Sequence, residues 1–436
     1  MGYYNFVSFF GIFILIGFAW IFSSDRKNVN WRLVGLGVFL QFLLAFFIFV
    51  VPAGSKVFLF LNEAVVKVLD CAGAGSKFLF GRLAFPPGEA NGQGEASLGF
   101  ILAFQAFPTI IFFSSLLSIL YFYRIIPVII GGFARIFTKL VKVSGVESLV
   151  VASNVFVGIE SMLTVKPFLN RLTRSEICTV LTAGMATVSS NILALYVFSL
   201  KDQFPTIAGH LISASLLSAP AALVVSKILL PENDTPETLG LHIHPYYEKE
   251  KNIFEAVING ANTGLRMVAG IIAMLIAVLG LVALINLILV SIGGRANFIF
   301  GWHLDWSLKG LLGYVFYPFT LILGIPSGDA RIVCGIIAER AILTEVVAYQ
   351  DLASVLAQGL LKDPRTAVIT VYALCGFAHL ASMAIFVGGL TALAPDKVTV
   401  VSQVAFRALI AATLACLMTA CIAGVFFVGG PIVLGV

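Results

Sequence analysis

Charged side chains are scarce in this 436-residue chain. Asp, Glu, Lys and Arg make up 11% of it, against 59% hydrophobic residues and a mean hydropathy of +1.02. Soluble domains are about a quarter charged, so a soluble domain is a poor fit. The net charge of +5 is small and falls mostly in loops, which argues against a nucleic-acid partner. The six cysteines, at 71, 178, 334, 375, 416 and 421, form no C-x-x-C pair. Neither a disulfide framework nor a zinc site is therefore indicated. H-E-x-x-H, a Walker loop and G-x-S-x-G are also missing. Gly324-Ile325-Pro326-Ser327-Gly328 has the wrong spacing for a membrane serine protease. The reading is of a non-enzyme without a cofactor, and any transport would run on an ion gradient rather than on ATP. A cleaved leader is not expected, because no positive charge precedes the first apolar run and Asp25, Arg26 and Lys27 follow it.

What the chain does have is repeated apolar runs of about 20 residues, the length needed to cross a bilayer. Eight spans are expected, at about 4–22, 33–52, 99–122, 176–199, 208–229, 266–291, 366–393 and 404–430. Arg26, Lys27 and Arg32 put the first loop in the cytoplasm. Both termini then lie outside, in a bacterial inner membrane. Lys56 to Leu83 and residues 124–142 read as amphipathic helices on the membrane surface, the second carrying Arg124, Arg135, Lys139 and Lys142. Pro86-Pro87-Gly88 and Asn91-Gly92-Gln93-Gly94 read as an exposed loop. Trp302 and Trp306 mark an external interface.

Two further apolar stretches are interrupted by polar groups. In the first, about 147–170, Gly158 and Glu160 fall mid-run, Lys166-Pro167 closes it, and Arg171 and Arg174 return the chain to the side it came from. That is the outline of a re-entrant hairpin. The second, Gly310 to about Gln350, reaches Gly324-Ile325-Pro326-Ser327-Gly328-Asp329 as its turn, and its second arm carries Glu339, Arg340, Thr344 and Glu345. Each hairpin precedes a span broken by polar residues: Thr187, Ser189, Ser190 and Asn191 in the fourth, Gly376-Phe377-Ala378-His379 in the seventh. This repetition predicts an all-α polytopic membrane protein with eight transmembrane helices and two re-entrant hairpins in an inverted repeat, with its site near the midplane. The expected division is 1–146 (spans one to three), 147–264 (first hairpin, spans four and five), 265–308 (span six and an external segment) and 309–436 (second hairpin, spans seven and eight).

A carboxylate at the bilayer centre costs about 2.5–3.5 kcal/mol on insertion scales. Glu160 and Glu345 are either buried partners of Lys166 and Arg340 or ligands for a solute, and their matching places in the two halves favour the second. A carboxylate suits a polyhydroxylated solute, because it accepts from neighbouring hydroxyls. Glu339 and Arg340 read as a structural pair. His379 is either a satisfied core histidine or part of the site, along with Phe377 and Ser382. Asn154, Thr187 and Asn191 offer hard oxygens for a small cation, though hydroxyls in spans also serve as helix–helix contacts.

Several segments resemble the concentrative nucleoside transporter family: Asn154–Pro167, Leu343-Thr344-Glu345-Val346-Val347-Ala348-Tyr349, Tyr372-Ala373-Leu374-Cys375-Gly376-Phe377-Ala378-His379, and Gly388-Gly389-Leu390 with Ala394-Pro395. The resemblance implies a homotrimer of elevator type that moves a nucleoside with sodium or protons. Its scaffold would hold spans one, two, three and six. Glu345, His379 and Ser382 would face the ribose, and Phe377 would lie beside the solute. The first hairpin, with Ile159 and Glu160, would face the base, with Ile192 also at the substrate. Asn154, the Val157 carbonyl, Thr187 and Asn191 would hold the cation, sodium being the metal. The chain also departs from the pattern. Gly158 and Lys166 are eight positions apart, one fewer than the family's hairpin, which leaves Ile159 where an amide and a hydroxyl stand. His379 and Thr344 replace asparagines, and Val188 replaces a hydroxyl. These departures keep open an alternative, a non-transporting membrane solute sensor or gate on the same fold.

Overall fold

The computed structural model describes residues 2–86, 89–90, 96–247 and 250–427. Much of the expected loop at 86–94, and the end of the last span beyond 427, lie outside the described residues. In chain order the helices are α1 (Tyr3–Ile21), α2 (Trp31–Phe49), α3 (Pro52–Phe80), the single turn α4 (Leu102–Gln105), α5 (Phe107–Phe122), α6 (Ile125–Val141) and α7 (Gly145–Asn154). A 3-10 arm (Ile159–Arg171) leads to α8 (Arg174–Ala186), α9 (Ser190–Leu200), α10 (Ile207–Leu229) and α11 (Ile253–Phe300). The chain ends with α12 (Leu308–Ile322), α13 (Ser327–Ile342), α14 (Glu345–Ala357), α15 (Pro364–Leu374), α16 (Leu380–Leu393) and α17 (Val398–Phe426).

Seven apolar stretches of the described residues are long enough to cross a membrane, the one at Arg174–Leu200 being α8 and α9 taken together. The eighth span is assembled in the same way, from α15 and α16. The protein is thus a multi-pass membrane protein. From α5 onward the same series runs twice. A long span (α5, α11) leads to a shorter helix (α6, α12) and a hairpin (α7 with the 3-10 arm, α13 with α14). A broken span (α8 and α9, α15 and α16) and a closing span (α10, α17) follow.

The leading spans of the two halves pack antiparallel. Gly260 and Gly264 of α11 sit against Ser114, Ser115, Ser118 and Ile111 of α5, so close that a Cβ on either glycine would meet backbone at 2.6–2.7 Å. Elsewhere α11 faces outward: 11% of its apolar window is buried, against 89% for α10. Its 48 residues make a rod about 72 Å long, far longer than the hydrocarbon layer. α6 buries Ile126, Ile130, Ala134, Phe137 and Val141 on one stripe and leaves its basic residues outside.

The first two spans lie on the closing ones, α1 on α17 and α2 on α10, held by buried hydrogen bonds from Asn5 Nδ2 to Val425 O (2.8 Å), Ser8 Oγ to Leu323 O (2.6 Å) and Gln41 Nε2 to Leu217 O (2.9 Å). The structure corrects two expectations. The turn of the second hairpin is Leu343–Thr344, between α13 and α14; Gly324–Pro326 is the hinge between α12 and α13. Thr344 is the reason, since its hydroxyl caps α14 by accepting from Val347 N, so a helix starts there without glycine or proline. Secondly, Glu339 does not pair with Arg340. Its partner is Lys309 (3.1 Å), which also holds Asp351 (2.6 Å).

The second arm of the first hairpin is not α-helical. From Ile159 to Arg171 the chain winds as a 3-10 helix, with about 2.0 Å of rise per residue instead of 1.5 Å. That winding delivers more length per residue. It exposes Leu163, Lys166, Pro167, Asn170 and Arg171 and buries Ser161, Met162, Thr164, Val165 and Leu169.

Candidate functional site

Four helices begin at one place. Gly158 precedes the 3-10 arm, Ser189 precedes α9, Thr344 precedes α14 and His379 precedes α16, and all four N-cap residues line one cavity of about 370 Å³. Each free helix start carries unpaired N–H groups and a partial positive charge of about half a unit. Set into the first turns of the two hairpin arms are the two carboxylates, Glu160 and Glu345. The breaks in the fourth and seventh spans therefore have a clear result: they aim helix starts at a membrane-embedded cavity.

Glu345 is almost wholly buried and tightly held. Its Oε1 accepts from Tyr196 OH (2.7 Å), and its Oε2 lies 2.8 Å from His379 Nε2. His379 Nδ1 in turn accepts from Ser382 N (3.2 Å), as the cap of α16. The cap thus occupies one ring nitrogen and holds the other against the carboxylate, as a close polar contact without hydrogen-bond alignment. Ser382 Oγ is spent inside the same cap, accepting from His379 N and donating to the carbonyls of His379 (2.8 Å) and Phe377. Glu345 and His379 present the polar end of the cavity.

The opposite wall is apolar. Met267, Gly270, Ile271, Met274 and Leu275 of α11 line it, with Ile159, Ile192, Val346, Phe377, Ile385 and Phe386 around them. Ile159 fits a notch in α16, where a Cβ on Gly389 would stand 2.4 Å from its Cδ1. Ile159, Glu160, Ile192, Glu345, Phe377, His379 and Ser382 all border this cavity. The α11 residues were missed from sequence, because nothing polar marks that run. Their spacing of three, four, seven and eight from Met267 is one helical face.

Beside the first hairpin's turn lies a set of oxygens. Asn154 is fully buried; its Nδ2 donates to Val150 O (3.0 Å), and its Oδ1 has no hydrogen-bond partner among the described residues. Thr187 Oγ1 donates to Ala183 O (2.9 Å), leaving its lone pairs for another group. The turn and the break in the fourth span are stitched together by Ser190 N to Phe156 O (3.1 Å) and by Ser215 Oγ, which bridges Val155 O and Val188 O. Asn154 and Val157 on one segment and Thr187 on the other are thereby tied into one region, and the oxygens they offer are hard ones. Asn191, buried at the start of α9, has its Nδ2 3.8 Å from Met267 Sδ on α11, and its Oδ1 has no hydrogen-bond partner among the described residues.

Three family profiles match the chain. That described as "Na+ dependent nucleoside transporter C-terminus" covers residues 210–424, the corresponding N-terminus profile covers 10–83, and "Nucleoside recognition" covers 103–203. The nucleoside permease NupC of Helicobacter pylori is 36% identical over 95% of this chain and 96% of its own length. Solute carrier family 28 member 3 of Mus musculus is 34% identical over 98% of this chain, which spans 59% of that relative's length. Among solved structures, an inward-facing substrate-bound state of CNTnw superposes with a TM-score of 0.87 at 32% identity, covering 97% of this chain and 98% of that one. An outward-facing state of a CNTnw variant gives 0.85 at 31% identity, covering 98% of each chain.

Proposed function

The chain belongs to the sodium-dependent, concentrative nucleoside transporter family, and from that premise we propose that it is a secondary active symporter importing nucleosides down a cation gradient. The observation that carries this reading is the cavity where four helix starts and two carboxylates meet an apolar wall. A nucleoside has matching halves: a ribose whose hydroxyls donate to carboxylates, and a flat base that stacks on aromatic and thioether groups. Glu345, with His379 held against it, takes the ribose hydroxyls. Phe377 lies against the base, with Ile159, Ile192 and the α11 methionines around it and Glu160 accepting from its edge. The coupling cation sits at Asn154 Oδ1, the Val157 carbonyl and Thr187 Oγ1, and sodium is the ion those hard oxygens favour.

In an elevator movement, the hairpins and broken spans travel with α10 and α17 past α5 and α11. The outward face of α11 supplies the contact between copies in a homotrimer. Positive residues in the first loop and along α6 orient the protein in the inner membrane with both termini outside.

The test is uptake of radiolabelled uridine and adenosine by a transport-deficient bacterial strain expressing the full chain, with sodium present or replaced by choline. Sodium-stimulated accumulation above the external concentration is the expected result. Correctly inserted protein that accumulates no purine or pyrimidine nucleoside would overturn the reading.

A further inference from the structure

Residues 230–252 join α10 to α11. This connection runs along the first hairpin and is attached to both of its arms. The attachment at α7 is firm. Thr238 is buried and serves the first two N–H groups of that helix: its carbonyl accepts from Gly145 N (2.8 Å) and its hydroxyl from Val146 N (3.2 Å). A helix start leaves those donors without a partner of their own. Gly240 N donates to Val143 O (3.4 Å), and a Cβ on Gly145 would stand 2.4 Å from Leu241 O. Ile243 then packs against the core.

The attachment to the other arm is slight. Tyr246 N donates to Thr164 O (2.9 Å), and Lys166 Nζ lies 5.9 Å from the centre of the exposed Tyr246 ring. Pro167 makes that carbonyl available. In a 3-10 winding Thr164 O would accept from residue 167, and proline has no N–H. The Lys-Pro pair that closes the hairpin in the sequence is thus the place where the connection docks. One hydrogen bond and one exposed ring contact are weak enough to open and close.

The two arms differ in the same sense. All ten residues of α7 are buried, whereas the 3-10 arm exposes Leu163, Lys166, Pro167, Asn170 and Arg171 and has the poorer hydrogen bonds of its winding. It is the arm with less to lose by moving. It also carries Ile159 and Glu160 of the cavity lining, and Thr164 comes four positions after Glu160. Thr164 Oγ1 lies 3.4 Å from Ser153 Oγ of α7, so both arms and the connection meet at one residue.

We propose that residues 238–246 are a latch on the first hairpin, fixed at α7 and released at Tyr246, and that its release lets the 3-10 arm swing aside and open the substrate cavity to the cytoplasm. The inference rests on the nucleoside uptake and the orientation proposed above. Docked, the latch holds the arm that carries Glu160. Undocked, it stays anchored on α7, so Tyr246 returns to the same carbonyl in every cycle.

The experiment uses purified full-length protein in proteoliposomes, with Lys166→Cys and Tyr246→Cys combined. Cys71, the exposed native cysteine, is removed by Cys71→Ser, and the other five are buried. Joining the two introduced thiols with a cleavable bis-methanethiosulfonate should leave equilibrium uridine binding intact and lower sodium-driven uridine uptake by about tenfold or more, with dithiothreitol restoring it. Linked protein that transports at its unlinked rate, or that no longer binds uridine, would overturn the latch alone. A second measurement needs no variant. In hydrogen exchange on the wild type, the amides of 159–171 and that of Tyr246 should lose protection together while α7 keeps it. An arm that opens while Tyr246 stays protected, or an arm as protected as α7, would likewise overturn the latch. Wild-type protein that neither binds nor takes up uridine would overturn the functional reading, and this inference with it.

Discussion

His379 Nε2 and Glu345 Oε2 face each other at 2.8 Å, while the other imidazole nitrogen is already taken by the Ser382 amide. The capping bond fixes the ring, so the histidine is held rigidly against the carboxylate. His379→Ala should take away the polar group closest to a buried carboxylate oxygen, and a lost contact to a charged acceptor costs about 1.5–3 kcal/mol. That corresponds to nucleoside affinity weaker by roughly 10–150-fold. Half-saturation constants for uridine uptake test this, with His379→Asn, which keeps a donor, expected between the two. Equal constants for His379→Ala and wild type would refute it.

A second contact ties the shortened hairpin to the seventh span. Because a Cβ on Gly389 would stand 2.4 Å from Ile159 Cδ1, Gly389→Ala should displace the hairpin turn and lower the initial uptake rate. Adding Ile159→Ala should restore most of the lost rate, since it removes the atom that clashes. The double-mutant cycle reads the coupling directly. Strictly additive effects would show that the two residues act apart.

Asn154→Ala should remove sodium stimulation, because it deletes a buried oxygen with no other partner. Sodium titrations of uptake check this. A variant still activated by sodium with wild-type affinity would move the cation site elsewhere.

Gly184 of α8 gives the fourth prediction. A Cβ there would lie 2.2 Å from Phe386 Cε1, and both flanking helices are packed. Gly184→Ala should destabilise the protein by about 1–3 kcal/mol through overpacking, seen as a lower melting temperature in detergent. Phe386→Leu in the same chain should recover part of the loss. An unchanged melting temperature for Gly184→Ala would contradict the packing.

The sequence announced the first hairpin because a glycine, a carboxylate and a Lys-Pro pair stand out in an apolar run, and membrane burial makes each of them costly. The second hairpin's turn was harder to see. Gly324-Ile325-Pro326 is the louder signal, yet the chain reverses at Leu343–Thr344, where a single hydroxyl caps the next helix. Glu339 and Arg340 looked like a pair because they are adjacent, but neighbours on a helix point about 100° apart. Nor does sequence alone show that Ser382 is used up in capping, since a free and a committed hydroxyl are spelled alike. The α11 wall was unreadable for the opposite reason: a helical face of Met, Gly, Ile and Leu looks the same whether it touches lipid or a solute.

That wall has its own consequence for how the protein would be blocked. In the proposed elevator movement, polar recognition sits on parts that travel together, whereas Met267, Ile271 and Met274 belong to the other side of the sliding boundary. A ligand held only by the hairpins can ride along. One that also presses an apolar arm between the two methionines grips carriage and rail at once. Such a molecule would work as a brake, and its potency would depend on which way the transporter faces when it arrives.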